Sequence, residues 1–249
     1  MDISIVTAVF NREKSIARAL ASVAAQSWPH TEHLVIDGAS RDRTCEIVRT
    51  HAGPNVSLVS EPDAGIYDAI NKGLRLARGD IIGVLHSDDL FAHPDVLRMV
   101  AAHFEDPALD AVYADAAFFS SHEPGKLIRR YNSGRFVPSR IQYGWMPAHT
   151  TLFLRRSVFD RFGHYKTNYR IAADFEFIAR IFKDGALKAH YVPEIWVHMQ
   201  TGGASTAGFS STLTIARESL RACRENGISS NYLKILSKYP FKLLEYQRT

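Results

Sequence analysis

"IIGVLHSDDLF", residues 81–91, runs an apolar stretch into two adjacent carboxylates. Ile81, Ile82, Val84 and Leu85 read as a strand buried on both faces. His86, Ser87, Asp88 and Asp89 read as its polar exit. Like charges side by side repel, so such a pair marks a cation, a cationic partner or a wet turn. The flanking sequence weighs these readings.

Upstream, "ISIVTAVF" (3–10), "EHLVID" (32–37) and "VSLVSE" (56–61) are further apolar strands. Helical spacing separates them. Ile16, Leu20, Val23 and Ala24 share one face over about 13–27, with Asn11 placed to cap it. A second helix falls near Thr44–His51, and Ile66, Ile70, Leu74 and Ala77 mark a third over 65–79. Pro94 suits the first turn of a helix reaching about Phe104. Near-continuous apolar strands alternating with amphipathic helices predict an α/β fold with a Rossmann-like, mostly parallel sheet flanked by helices.

After "DAVYADAAFF" (110–119), a fifth strand, the rhythm changes. Residues 120–150 read as a loop or hairpin, 150–163 as a strand and short helix, 172–185 as a helix, and 189–199 as extended chain. Residues 211–226 and 229–246 read as a helical C-terminal extension, with Pro240 breaking the second helix. The expected organisation is one unit over 1–205, dividing at about residue 105 where the rhythm changes, and a basic amphipathic tail over 206–249.

The bulk numbers suit this reading. Of 249 residues, 46% are hydrophobic and 22% charged, an ordinary globular composition. Cys45 and Cys223 form no paired framework and no zinc spacing, which fits a reducing compartment. The N-terminus lacks the pattern of a signal peptide, and no apolar run is long enough to span a bilayer. A cytoplasmic location is expected. The net charge of +4 resides after Ser205, where seven basic residues face three acids. The rest is neutral, so no nucleic-acid surface is indicated.

In an open parallel sheet, ligands bind beyond the carboxyl ends of the strands. Thr7, Asp37, Asp63 and the Asp88–Asp89 pair occupy the four expected exits. Singly, Asp37 reads as a turn residue and Asp63 as a helix cap. Together they form a self-repelling rim, which calls for a metal or a hydroxyl-rich ligand. There is no G-x-G-x-x-G after the first strand and no G-x-x-x-x-G-K-[ST] anywhere. A phosphate held here needs a divalent cation, and Mg²⁺ or Mn²⁺ suits one or two carboxylates plus substrate phosphates.

"SIVTAVFNRE", "VIDGASRDRT", "EPDAGIYDAINKG" and "LHSDDLF", in this order, resemble an inverting family 2 glycosyltransferase of the GT-A fold. "GIYDAINKG" and "ADFEF" resemble bacterial members that build surface polysaccharides or glycolipids. The resemblance spans about residues 2–205, and it implies a catalytic domain over 1–205 in which about 1–105 form a nucleotide-binding half and 106–205 an acceptor half. It implies a nucleotide-sugar donor, with a UDP-sugar expected, and a glycan or lipid-linked acceptor. Thr7, Asp37 and Asp63 would contact base and ribose, and Asp88 the ribose or donor sugar. Asp89 would bind Mn²⁺ or Mg²⁺, in a motif whose first position is Ser87. Lys72 would approach the diphosphate.

The same resemblance makes Asp174 the catalytic base, with Glu176 its rival. Other residues carry two readings. His198 is a ligand near metal and diphosphate or a polar strand end. His149 faces the acceptor or the core. Arg155 and Arg156 meet an acceptor phosphate or solvent. Gly202 and Gly203 form a closing loop or an ordinary turn. The tail interleaves Tyr232, Leu233, Leu236, Tyr239, Phe241, Leu243, Leu244 and Tyr246 with basic residues. It packs on its own unit or docks at an anionic inner-membrane surface.

Two other functions compete. A sugar-nucleotide pyrophosphorylase wants a Gly/Arg/Lys-rich loop after the first strand, and "TAVFNREKS" has no glycine. A non-catalytic nucleotide- or carbohydrate-binding module is disfavoured by the intact set of carboxylates.

Overall fold

A computed structural model describes residues 1–119, 127–200, 209–238 and 240. Nine strands form one sheet: β1 (Ile3–Val9), β2 (Thr31–Asp37), β3 (Val56–Ser60), β4 (Ile81–Val84), β5 (Leu90–Phe91), β6 (Ala111–Phe119), β7 (Leu127–Tyr131), β8 (Phe153–Arg155) and β9 (Ala189–Gln200). Their order is β3-β2-β1-β4-β8-β6-β9-β5, with β7 hairpinned onto β6. The four strands β3, β2, β1 and β4 run parallel, as do β6 and β9. β8 runs antiparallel between β4 and β6 and joins the two parallel blocks.

The helices are α1 (Ile16–Ala24), α2 (Thr44–His51), α3 (Ile66–Leu76), α4 (Val96–His103), α5 (Arg156–Phe162), α6 (Ala173–Phe182), α7 (Phe209–Glu225) and α8 (Tyr232–Leu236). Apolar clusters cover both sheet faces. Val6, Ile36, Ile70 and Leu74 belong to one that extends through α6, and Ile3, Ile81, Leu97 and Trp196 to another. Burial of both faces is why β1 and β4 read as unbroken apolar runs. Ala216, Leu220, Cys223 and Ile235 belong to the same cluster as α6, so the described part of the C-terminal extension packs on the sheet-bearing part of the chain.

Three expectations need correction. β1 runs two residues past Thr7, so Thr7 lies inside the strand rather than at its exit. Asn11 caps no helix: α1 starts at Ile16, and the Asn11 side chain accepts from Arg41 N–H at 2.9 Å. That bond belongs to a lacing between the β1–α1 and β2–α2 loops, in which Arg12 N–H also donates to Thr44 at 2.8 Å. Ile66 is 44% exposed, off the apolar face of α3.

Candidate active site

Register fixes the rim. Val9, Asp37 and Ser60 lie level across β1, β2 and β3. After β4 the chain turns through His86–Asp89 and enters β5, where Leu90 pairs with His198 of β9. This pairing folds the two acids back over the sheet. A cleft of about 400 Å³ opens there, and Asp88, Asp89 and Asp174 all line it, from opposite halves of the sheet.

Asp89 is 4% exposed, and Gln200 N–H reaches it only at 3.4 Å. Burial, then the neighbouring Asp88 carboxylate, pushes its pKa well above the usual range. A buried acid so thinly satisfied fits a cation, which would supply the missing charge. No group of three His, Cys, Asp or Glu suited to a metal occurs among the described residues. Protein ligation through Asp89 would therefore be sparse, with substrate oxygens completing the shell. The His198 ring rests on Phe119 at 4.3 Å between centroids, while its neighbours Met199 and Gln200 line the cleft. Its pKa is lowered by burial and by His93.

Asp37 is fully buried and engaged. Ser40 N–H donates at 2.9 Å, Ser60 Oγ at 2.7 Å and Cys45 Sγ at 3.1 Å, and the Ser40 hydroxyl adds another bond. Burial alone would raise its pKa, but these bonds outweigh burial and hold it below the usual value. Asp63 lies at the adjacent rim and accepts from Gly65 N–H at 2.8 Å. A Cβ on Gly38 would collide with its carboxylate, so that glycine lets Asp63 close against the end of β2. Thr7 is buried on His33 Nε2 at 2.9 Å. Lys72 turns to Pro62 O at 2.8 Å and Glu61 at 2.9 Å. Thr7, Asp37, Asp63 and Lys72 all stand outside the residues that line the cleft.

Asp174 sits in the first turn of α6, on the cleft wall. Phe175 N–H donates to it at 2.7 Å, and Tyr67 of α3 approaches at 3.5 Å. Burial raises its pKa to about 6, against the lowering pull of Phe175 N–H and Lys238. Its rival stands outside the cleft lining. Glu176 is fully buried, paired to Lys166 at 2.9 Å and Arg180 at 3.0 Å and bonded by Asn226 at 3.2 Å.

His149 is buried, with its Nε2 2.7 Å from Tyr165 OH, and is also among the residues that line the cleft. Arg155 donates to Leu109 O at 2.6 Å and to Phe104 O at 2.8 Å, and Arg156 to Gly79 O at 2.6 Å. Both staple backbone. Gly202, Gly203, Tyr239, Phe241, Leu243, Leu244 and Tyr246 lie outside the described residues.

Sequence reading missed several cleft residues. Arg12, Tyr67, Arg129 and Lys238 line it. Tyr67 stood inside "GIYDAINKG", whereas nothing local marked Arg129 or Lys238. Also missed was Glu218 of α7. Its carboxylate accepts from Arg170, Ile171 and Ala172 N–H at 2.7, 2.9 and 2.9 Å and fixes the turn that delivers Asp174.

The sequence model of the family described as glycosyl transferase family 2 matches residues 4–188. A PGL/p-HBAD biosynthesis glycosyltransferase of Mycobacterium tuberculosis (strain ATCC 25177 / H37Ra) is 30% identical over 222 residues, covering 88% of this chain and 82% of its own. Among solved structures, Staphylococcus aureus TarS 1-349 in complex with UDP-GlcNAc superposes with a TM-score of 0.67 at 20% identity. That match covers 88% of this chain and 66% of TarS 1-349. A mannosyltransferase of Pyrobaculum calidifontis in complex with GDP-Man and Mn²⁺ gives 0.66 at 20%, covering 88% of this chain and 64% of its own. This chain thus spans just under two thirds of the length of either solved chain, and at such identity the likeness speaks for the GT-A fold alone.

Proposed function

The chain belongs to glycosyl transferase family 2, and on that premise we propose that it moves a sugar, with inversion, from a UDP-sugar to a hydroxyl of a glycan or lipid-linked acceptor in bacterial polysaccharide or glycolipid synthesis. One observation carries the reading. Asp174, with a pKa raised to about 6, faces the same cleft as Asp88 and Asp89. A base of that pKa is ionised at neutral pH yet basic enough to take a proton. The mycobacterial relative is named a PGL/p-HBAD biosynthesis glycosyltransferase, and the TarS structure holds UDP-GlcNAc.

In this reading Thr7, Asp37 and Asp63 contact the base and ribose of the donor, and Asp88 meets the ribose or donor sugar. Asp89 would hold Mn²⁺ or Mg²⁺. Such a cation, when bound, offsets charge on the departing diphosphate. Asp174 accepts the proton of the acceptor hydroxyl as its oxygen bonds to the anomeric carbon and the bond to the diphosphate oxygen breaks. Tyr67, whose hydroxyl donates to Ile171 O, keeps the wall beside Asp174 in place. We keep the division into a donor half, 1–105, and an acceptor half, 106–205. At the membrane, the exposed Tyr232, Leu233 and Leu236 of α8 are the described apolar contacts. No helix among the described residues is long and apolar enough to cross a bilayer.

The test is a thermal-shift screen of nucleotide-sugars with and without Mn²⁺. A cognate donor binds the folded state and raises Tm. If neither UDP- nor GDP- nor dTDP-sugars raise it with Mn²⁺ present, the reading fails.

A further inference from the structure

Three buried polar atoms at the cleft have no hydrogen-bond partner among the described residues: Nδ1 of His86, Nδ1 of His149 and Oγ1 of Thr150. All three residues line the cleft, and His149 and Thr150 are 8% and 3% exposed. We propose that His86, His149 and Thr150 form the subsite that reads the hydroxyl groups of the transferred sugar. The inference rests on the chain being a glycosyltransferase that works in this cleft.

Strand pairing brings the three together. β4 runs antiparallel to β8, with Gly83 opposite Phe153. The exit of β4 therefore lies alongside the turn His149–Thr151 that leads into β8. The His86 and His149 rings stand 5.8 Å apart between centroids. His149 Nε2 is 2.7 Å from Tyr165 OH, and the Tyr165 ring stacks on that of Tyr67 at 6.0 Å. The Tyr67 hydroxyl in turn is 3.5 Å from Asp174. His86 itself is two residues ahead of Asp88. The group thus lies on a run of contacts between the donor acid and the base. Inversion needs the sugar ring between those two, with the diphosphate leaving from one side of the anomeric carbon as the acceptor hydroxyl attacks the other.

The unpaired atoms match hydroxyl groups. Buried polar atoms in a folded chain are normally hydrogen-bonded. The next residue, Thr151, follows that rule, with its hydroxyl donating to Ala114 O at 2.7 Å. Thr150 does not. Burial, and then His86 beside it, lowers the His149 pKa to about 3, and burial lowers that of His86 against the pull of Asp88. Both imidazoles are therefore uncharged at neutral pH. A neutral imidazole nitrogen donates or accepts according to its tautomer, and a threonine hydroxyl does both. A sugar hydroxyl also does both, so it satisfies any of the three. A phosphate oxygen only accepts and is better matched by cations.

The test is isothermal titration of the full chain with Mn²⁺ present. The ligands are the nucleotide-sugar that raises Tm most and its own nucleoside diphosphate. Thr150→Val replaces the hydroxyl with a methyl group. It should weaken the nucleotide-sugar by about three- to tenfold, the worth of one hydrogen bond, and leave the nucleoside diphosphate unchanged. His149→Gln sets its amide near the lost Nε2, beside Tyr165, and should weaken the nucleotide-sugar likewise. His149→Asn sets its amide near the lost Nδ1 and should retain more of that affinity than His149→Gln. The reverse order would assign the effect to Tyr165 and overturn the role of Nδ1. If the His149 variants do not fold, Thr150→Val decides. Unchanged affinity for both ligands overturns the proposal, since water alone would then meet these atoms. An equal loss of both overturns it too, since the residues would then only shape the fold. Failure of the glycosyltransferase reading looks different: the wild-type chain would bind no nucleotide-sugar at all.

Discussion

In the half built on β3, β2, β1 and β4, each acid stands at or within five residues of the end of the strand that carries it, and backbone pairing brings it near the rim. In the half built on β6, β9 and α6 to α8, the cleft wall comes from remote segments. Glu218 holds the turn before Asp174, and Lys238 reaches Gly144 across 94 residues. Backbone pairing secures the first arrangement. Side-chain packing and charge secure the second, so single substitutions should disturb it more.

The largest expected effect tests this contrast at its most exposed point. Asp174→Asn should lower turnover by about 10²–10⁴-fold, the usual worth of a positioned base. Wild-type kcat/KM should rise with pH through about 6, as Asp174 loses its proton. Stability should move the other way. The folded-state pKa is raised, so stability is full below pH 4 and falls as pH climbs to about 6. Asp174→Asn should then stabilise the chain at pH 7 by about 2 kcal/mol, after allowance for its partial contact with solvent. Denaturant melts at pH 4 and pH 7 check the sign.

Two residues along, Glu176 should show the converse. Glu176→Ala leaves Lys166 and Arg180 without their buried partner and should cost about 3–5 kcal/mol in urea unfolding. Turnover per folded molecule should stay within about threefold, because Glu176 faces away from the cleft. Loss of activity without loss of stability would reverse the assignment of the two acids.

These contrasts follow what was legible in sequence. Asp37, Asp63 and the Asp88–Asp89 pair could be read because strand period and turn residues are local signals. Thr7 was misplaced because an apolar run does not say where pairing stops. The pairing of β5 with β9, which swings Asp89 beside His198, is a two-residue strand with no period to detect. Asp174 came from family resemblance, and Lys238 was one basic residue among seven in the tail. Only the packing of α8 brings it to the cleft.

On the donor side, Asp89→Asn should raise Tm in EDTA by about 2–4 °C, since it removes a buried charge beside Asp88. The same variant should lose any Mn²⁺-dependent shift with a UDP-sugar. A fall in Tm without metal would mean that Asp89 is better satisfied by protein groups than its one long contact indicates.

The smallest effect belongs to Lys72. Resemblance aims it at the diphosphate, while the structure turns its ammonium to Pro62 O and Glu61. The Glu61 side chain is 53% exposed, so solvent screens the ion pair, and Lys72→Met should lower Tm by no more than about a degree or two. Donor affinity discriminates the roles. A lysine that only braces the loop should change it by less than about threefold. One that reaches the phosphates supplies a charge-assisted bond worth about 1.5–3 kcal/mol, and its loss should weaken binding by about tenfold or more. Isothermal titration with a UDP-sugar and Mn²⁺ separates these outcomes. A tenfold loss would show that Lys72 leaves Glu61 when the donor binds, making the register-built half more mobile than its backbone pairing implies.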